Sequence, residues 1–165
     1  MVMILSQAWR AIPIFLIVGV PFIPAAEAQQ PFDITYCATS NMTTVSASEG
    51  LIVLSLDTKG IAMSNHENKV FDNMTFLCVA VGKVVAGKPI GTGYCKYMDP
   101  DGDIIVWELS IDVPVDTLKA IQGTGKWKGI KAEGKAALIT KAKSITPDTR
   151  QVCRRFTGTF ELPKK

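Results

Sequence analysis

The sequence predicts an all-β protein built as an antiparallel barrel of about eight strands. Three observations carry that reading. From residue 31 onward, β-branched and aromatic residues recur in short runs separated by Gly, Pro, Asn and Asp, the composition of strands joined by tight turns. No stretch beyond the N-terminal segment has the apolar spacing of a long amphipathic helix. The hairpins whose register can be counted place their apolar residues and cysteines on one consistent face.

The chain opens with an export leader. Arg10 precedes the apolar run 11–20, Pro21 breaks it, and Ala26-Glu27-Ala28 supplies the small-x-small pattern of a signal-peptidase site. Residues 1–28 are therefore read as a cleavable signal peptide and 29–165 as one β-barrel domain. A membrane helix needs about 20 uninterrupted apolar residues. Pro13, Pro21 and Pro24 interrupt this shorter run, so no membrane span is expected after cleavage, and the product is expected in the periplasm or outside the cell.

The runs read as strands are 33–38, 50–57, 60–64, 74–84, 89–97, 103–112, 135–143 and 151–162, with a short helical turn over 115–120. Two turns fix registers. In Asp99-Pro-Asp-Gly-Asp103, Pro100 presets the φ of a type I turn and Gly102 can take the left-handed conformation that closes it. Asp99 then faces Asp103, Tyr97 faces Ile105 and Cys95 faces Trp107. If the loop near Val85-Ala-Gly-Lys88 holds an even number of residues centred between Ala86 and Gly87, Cys78 lies directly across from Cys95.

Parity then assigns faces. Ile105, Trp107, Leu109 and Ile111 share the core face with Tyr97, Cys95, Cys78 and Phe76, while Phe156 shares the inward face of the last strand with Val152 and Arg154. Cys37 and Cys153 both fall on the outward face of their strands. Four cysteines in an exported chain are expected to form two disulfides. Parity pairs Cys78 with Cys95 inside the barrel and Cys37 with Cys153 across the first and last strands, the other two pairings remaining open to peptide mapping.

No metal site is expected, because there is no Cys-x-x-Cys pair and His66 is the only histidine. Asp99, Asp101 and Asp103 alternate as cation ligands do, but Gly102 comes too early for a calcium loop and Ser110 stands where its closing Glu would be. A hairpin turn is the better account. His66 beside Glu67 in a polar loop is expected to face water rather than act as a base.

Charge is divided along the chain. Residues 29–118 carry five basic side chains against eleven acidic ones, a net of −6, and residues 119–165 carry twelve against three, a net of +9. Such asymmetry is either pairing between neighbouring strands or a surface for an anionic polymer, for which Lys126, Lys128, Lys131, Arg154 and Arg155 are the candidate patch. The lysines lack interleaved aromatics apart from Trp127, so nucleic acid is not expected.

Gly123-Thr-Gly-Lys-Trp-Lys-Gly-Ile130, followed by Gly134, is the most distinctive local pattern. It is not a dinucleotide or phosphate fingerprint. It resembles the glycine-rich segment that opens a late strand in the allene oxide cyclase barrel family and, more loosely, in dirigent proteins. Together with the string from Gly93 to Asp103 it is also similar to small exported bacterial proteins. The resemblance implies an eight-stranded, calycin-like or allene oxide cyclase-like barrel with an apolar interior. Allene oxide cyclases steer an unstable epoxide fatty acid with help from an acidic residue. The nearest acid by character here is Glu108, which parity turns toward solvent.

The functional expectation is a small exported, disulfide-stapled barrel that takes a small apolar or amphipathic ligand, or serves as an envelope component, without catalysis and without a cofactor. Its candidate ligand residues are Phe76, Tyr97, Trp107 and Phe156. A cyclase or isomerase acting on a lipid-like substrate is the alternative and requires a buried carboxylate or hydroxyl in a real cavity. Anionic-polymer binding is the third reading.

Overall fold

A computed structural model describes residues 29–163, so the leader lies outside the described residues. Eight antiparallel strands close on themselves in chain order. They are β1 (Gln30–Ser48), β2 (Leu51–Ser64), β3 (Met74–Val85), β4 (Lys88–Met98), β5 (Ile104–Asp112), β6 (Val115–Gly123), β7 (Lys131–Ala142) and β8 (Thr149–Glu161). Closure removes free sheet edges. It is made by β8 lying beside β1 with Cys37 opposite Cys153.

Both counted hairpins have the expected register. Val85 pairs with Lys88 around Ala86 and Gly87, whose φ values of 50° and 78° are those of a two-residue type I′ turn. Cys78 therefore lies opposite Cys95, which in turn lies opposite Trp107. At the next turn the Asp103 carbonyl accepts the Asp99 N–H at 3.0 Å.

The eight runs expected and the eight strands observed are not the same set. Runs 50–57 and 60–64 are one strand, because Gly60 is an interior position and not a turn. A Cβ there would lie 2.7 Å from the Phe76 ring and 2.2 Å from the Cys37 carbonyl. Residues 115–120 are not helical but lie within β6. Asp116, Leu118 and Ala120 alternate inward on that strand, and a charged inward residue breaks the apolar alternation that would have revealed it. β7 begins at Lys131 rather than at 135, since Gly134 also makes room for side chains, here the rings of Phe156 and Phe32.

The barrel has two unlike halves. At the end where β1 starts and β8 finishes, Phe32, Trp107 and Phe156 interlock, with ring centroids of Phe32 and Phe156 4.8 Å apart and of Trp107 and Phe156 5.3 Å apart. Loop residues plug this end. Phe71, from the β2–β3 connection, meets Trp127 at 5.2 Å, and Ile130 is buried beside them. The 3₁₀ turn Gly125–Trp127 carries the Trp127 indole inward. Its Nε1 donates to Asp99 Oδ2 at 2.8 Å, so the β4–β5 turn and the glycine-rich segment hold each other. Gly125 is required by both its φ of 48° and the Asp103 carboxylate, which lies 1.8 Å from where a Cβ would stand.

Candidate functional site

The other half of the barrel is open. A cavity of about 390 Å³ enters between the β3–β4, β5–β6 and β7–β8 turns, a size typical of small-molecule sites. Its floor is formed by Phe76, Tyr97 and the inner Cys78–Cys95 disulfide. Phe76 and Tyr97 stack with centroids 4.8 Å apart, and Tyr36 meets Phe76 at 5.5 Å. Trp107 packs behind Tyr97 at 6.0 Å and does not reach the cavity, and neither does Phe156. Of the four aromatic candidates, two therefore line the space and two wall it off.

The cavity is amphipathic in cross-section. Strands β2 to β5 contribute an apolar wall that includes Leu54, Leu56, Leu109 and Ile111. The opposite wall, from β1, β6 and β8, carries Tyr36, Ser40, Asp116, Arg150 and Arg154. Arg154 Nη1 donates to Asp116 Oδ2, and both side chains are about nine-tenths covered. Asp116 Oδ1 and Arg150 Nε are buried without a hydrogen-bond partner in the protein. Ser40 Oγ and Thr58 Oγ1 lie 2.8 Å apart in a hydroxyl pair.

Burial decides the electrostatics of this wall. It raises the Asp116 carboxyl above its ordinary value, against the pull of Arg154 and Arg150. It also raises the Tyr36 phenol, so that group stays protonated. It lowers the Arg150 guanidinium, and the charge of Arg154 lowers it further. The arrangement supplies a carboxylate paired with one guanidinium, a neutral phenol, and a second guanidinium outside any ion pair among the described residues, all facing an apolar surface.

Parity puts Arg154 on the inward face from sequence alone, but Asp116 falls in the stretch expected to be a helical turn and Arg150 just before the run expected to be the last strand. With β6 read as a strand, Asp116 shares the inward parity of Leu118 and Ala120, and Arg150 shares that of Val152 and Arg154. Glu108, the acid singled out from the sequence, is exposed on the outer surface opposite Lys119. His66 sits in an exposed turn, its Nδ1 accepting the Asn68 N–H at 3.4 Å.

The five basic residues do not come together as one patch. Arg154 points into the barrel and Arg155 out of it, where Nε donates to the Asp33 carboxylate at 3.0 and 3.1 Å. Lys126 joins Asp99 at 2.8 Å and Asp101 at 2.6 Å. Lys128 and Lys131 remain exposed to solvent. Among the described residues, all four ion pairs join an acid from the acidic part of the chain to a base from the basic part. Part of the division of charge is thus pairing between elements that the barrel brings together.

Both disulfides form as parity paired them. Cys37–Cys153 bridges the β1–β8 seam with Cα atoms 4.1 Å apart, and Cys78–Cys95 bridges β3 to β4 at 4.0 Å. No cysteine is left free, which fits an oxidising, exported environment. Among the described residues no helix is long and apolar enough to cross a membrane.

No family model and no curated protein sequence matches the chain. Among solved structures it is similar to two pterocarpan synthase dirigent proteins. GePTS1 superposes with a TM-score of 0.51 at 10% identity over 87% of this chain and 98% of that one. PsPTS1 does so with a TM-score of 0.51 at 9% identity over 85% and 99%. At such identity the likeness is one of fold, and the architecture is a dirigent-like, allene oxide cyclase-like barrel.

Proposed function

Starting from a barrel of dirigent-like architecture with one plugged and one open half, we propose that the chain is an exported binding protein, periplasmic or extracellular, for a small amphipathic molecule. The observation that carries this reading is the cavity of about 390 Å³, with its apolar wall facing a buried polar one. A barrel filled by its own side chains throughout would have left only a structural or interaction role. The test is native mass spectrometry of the exported protein before and after denaturation. A small molecule that leaves on denaturation is the expected result, and a bare mass from several hosts together with no uptake of amphiphiles would count against the reading.

A cyclase or isomerase reading is favoured by a separate observation, the Asp116 carboxyl. It is buried in the cavity beside Tyr36 and Arg154, and burial raises its pKa above the ordinary carboxylate value, which is the direction a general acid needs. The two readings part at Asp116→Asn. If Asp116 moves a proton, the variant binds the captured molecule but no longer converts it, a loss of about 10²-fold or more. In a pure binder the molecule returns unchanged from wild type and variant alike.

A further inference from the structure

The polar wall of the cavity is not neutral. Its inward charged groups are the Asp116 carboxylate and the guanidinium groups of Arg150 and Arg154. Lys83 also borders the space, but it alternates with the inward Gly82 and Val84 and its side chain is exposed. Asp116 answers Arg154 directly. Arg150 has no such answer. Among the described residues it enters no ion pair, and its Nε is buried without a partner. A cation held against both desolvation and a like-charged neighbour is relieved by one added anion. The lowered Arg150 pKa, caused by burial first and by Arg154 second, reports that same tension.

We propose that the ligand is an amphiphile with a single oxyanion head, read by Arg150, whose apolar body lies against Leu54, Leu56, Leu109 and Ile111. The inference rests on the cavity being a ligand site, as proposed above. Two inward cations against one carboxylate leave room for one negative charge and no more. The guanidinium fork suits an oxyanion better than a point cation would, because it can donate two parallel hydrogen bonds. Arg150 stands opposite Ser40, near the rim, so the head sits high in the cavity and the body runs down toward the Phe76 and Tyr97 floor.

Calorimetric titration of the exported protein with dodecanoate, dodecyl phosphate and dodecanol, each below its micelle concentration, tests this. Dodecanoate is expected to bind at least about tenfold tighter than dodecanol. Arg150→Gln is expected to abolish that preference while leaving dodecanol affinity unchanged, and Arg150→Lys to keep part of it. Tighter binding of the phosphate than of the carboxylate, lost in the same variant, keeps Arg150 as the reader of an oxyanion but overturns the limit of one negative charge, since a phosphate monoester carries nearly two at neutral pH. Equal binding of acid and alcohol to the wild type overturns the charge inference alone, as does a preference that survives in Arg150→Gln. Should that variant fail to fold, the wild-type ratio decides. Absence of binding by all three removes the cavity reading and this inference with it.

Discussion

Asp99 shows how one side chain can hold two loops. Its Oδ1 accepts the backbone N–H groups of Asp101 and Asp103 at 2.9 Å each, and its Oδ2 accepts the Trp127 indole N–H at 2.8 Å and faces Lys126 Nζ at 2.8 Å. Burial pushes the Asp99 carboxyl up, but the hydrogen bonds from Lys126 and Trp127 outweigh it and the net shift is downward. A carboxylate held below its unfolded pKa of about 3.8 contributes stability that is present above that pH and lost as pH falls through the folded value. Asp33, lowered chiefly by Arg155, has the same sign, whereas Asp116 has the opposite one and weakens the fold as pH rises past 3.8. Asp99→Asn should therefore cost about 2 kcal/mol at neutral pH, because its amide cannot accept from every donor that now points at it. Thermal melts at pH 7, 5 and 3 should show the gap from wild type shrinking at the lowest pH, which lies below the unfolded value of 3.8, where the stabilisation tied to the ionised carboxylate is being lost. A constant gap would mean that shape, and not the carboxylate charge, seats Trp127.

At the scale of strands, the interior is fitted by pairing large residues with absent ones. Cβ atoms on Gly134 and Gly158 would stand 3.0 and 2.8 Å from the Phe32 ring, and Gly158 would also meet the Glu133 carbonyl at 2.0 Å. Gly158→Ala should destabilise by about 3 kcal/mol, read as a lower urea midpoint at unchanged slope. Ala137→Val, on the exposed face of β7, should fall within about 0.5 kcal/mol of wild type. These same glycines limited what the sequence could say. Gly60 and Gly134 look like turns because glycine usually marks one, and nothing local reveals that a ring on a neighbouring strand occupies the space. Conversely, β3, β4 and β5 were legible down to single pairs, since Asp99 to Asp103 and Ala86-Gly87 are turns whose geometry fixes the register on both sides. Phe76, Tyr97, Trp107 and the Cys78–Cys95 bridge follow from that register, whereas Phe156 and the Cys37–Cys153 bridge follow from parity along the first and last strands. Of the charged wall only Arg154 follows from parity, because Asp116 is acceptable inside only with Arg154 across from it, and that contact spans 38 residues of sequence.

At the scale of the whole barrel, the aromatic plug and the open cavity lie at opposite ends, and the two disulfides differ in what they constrain. The outer bridge joins cysteines 116 residues apart across the seam where the first and last strands meet, so it constrains most of the unfolded chain. The inner bridge closes only 17 residues of an already local hairpin, but its sulfurs form part of the cavity floor. On chain entropy alone, Cys37→Ser with Cys153→Ser should cost about 5 kcal/mol and Cys78→Ser with Cys95→Ser about 3 kcal/mol. Urea denaturation of the two double variants measures that order. If the inner pair costs more, then its near-complete burial against Trp107 outweighs the loop it closes, since removing a buried bridge also leaves underpacked space. Ligand uptake separates the roles independently. Phe71→Ala unplugs the far end and should cost about 3–5 kcal/mol, yet it should leave amphiphile affinity unchanged at temperatures where the variant stays folded, because Phe71 meets Phe32, Trp107, Trp127 and Phe160 and lies outside the cavity lining. The inner double variant should do the reverse, weakening uptake well before the barrel itself gives way.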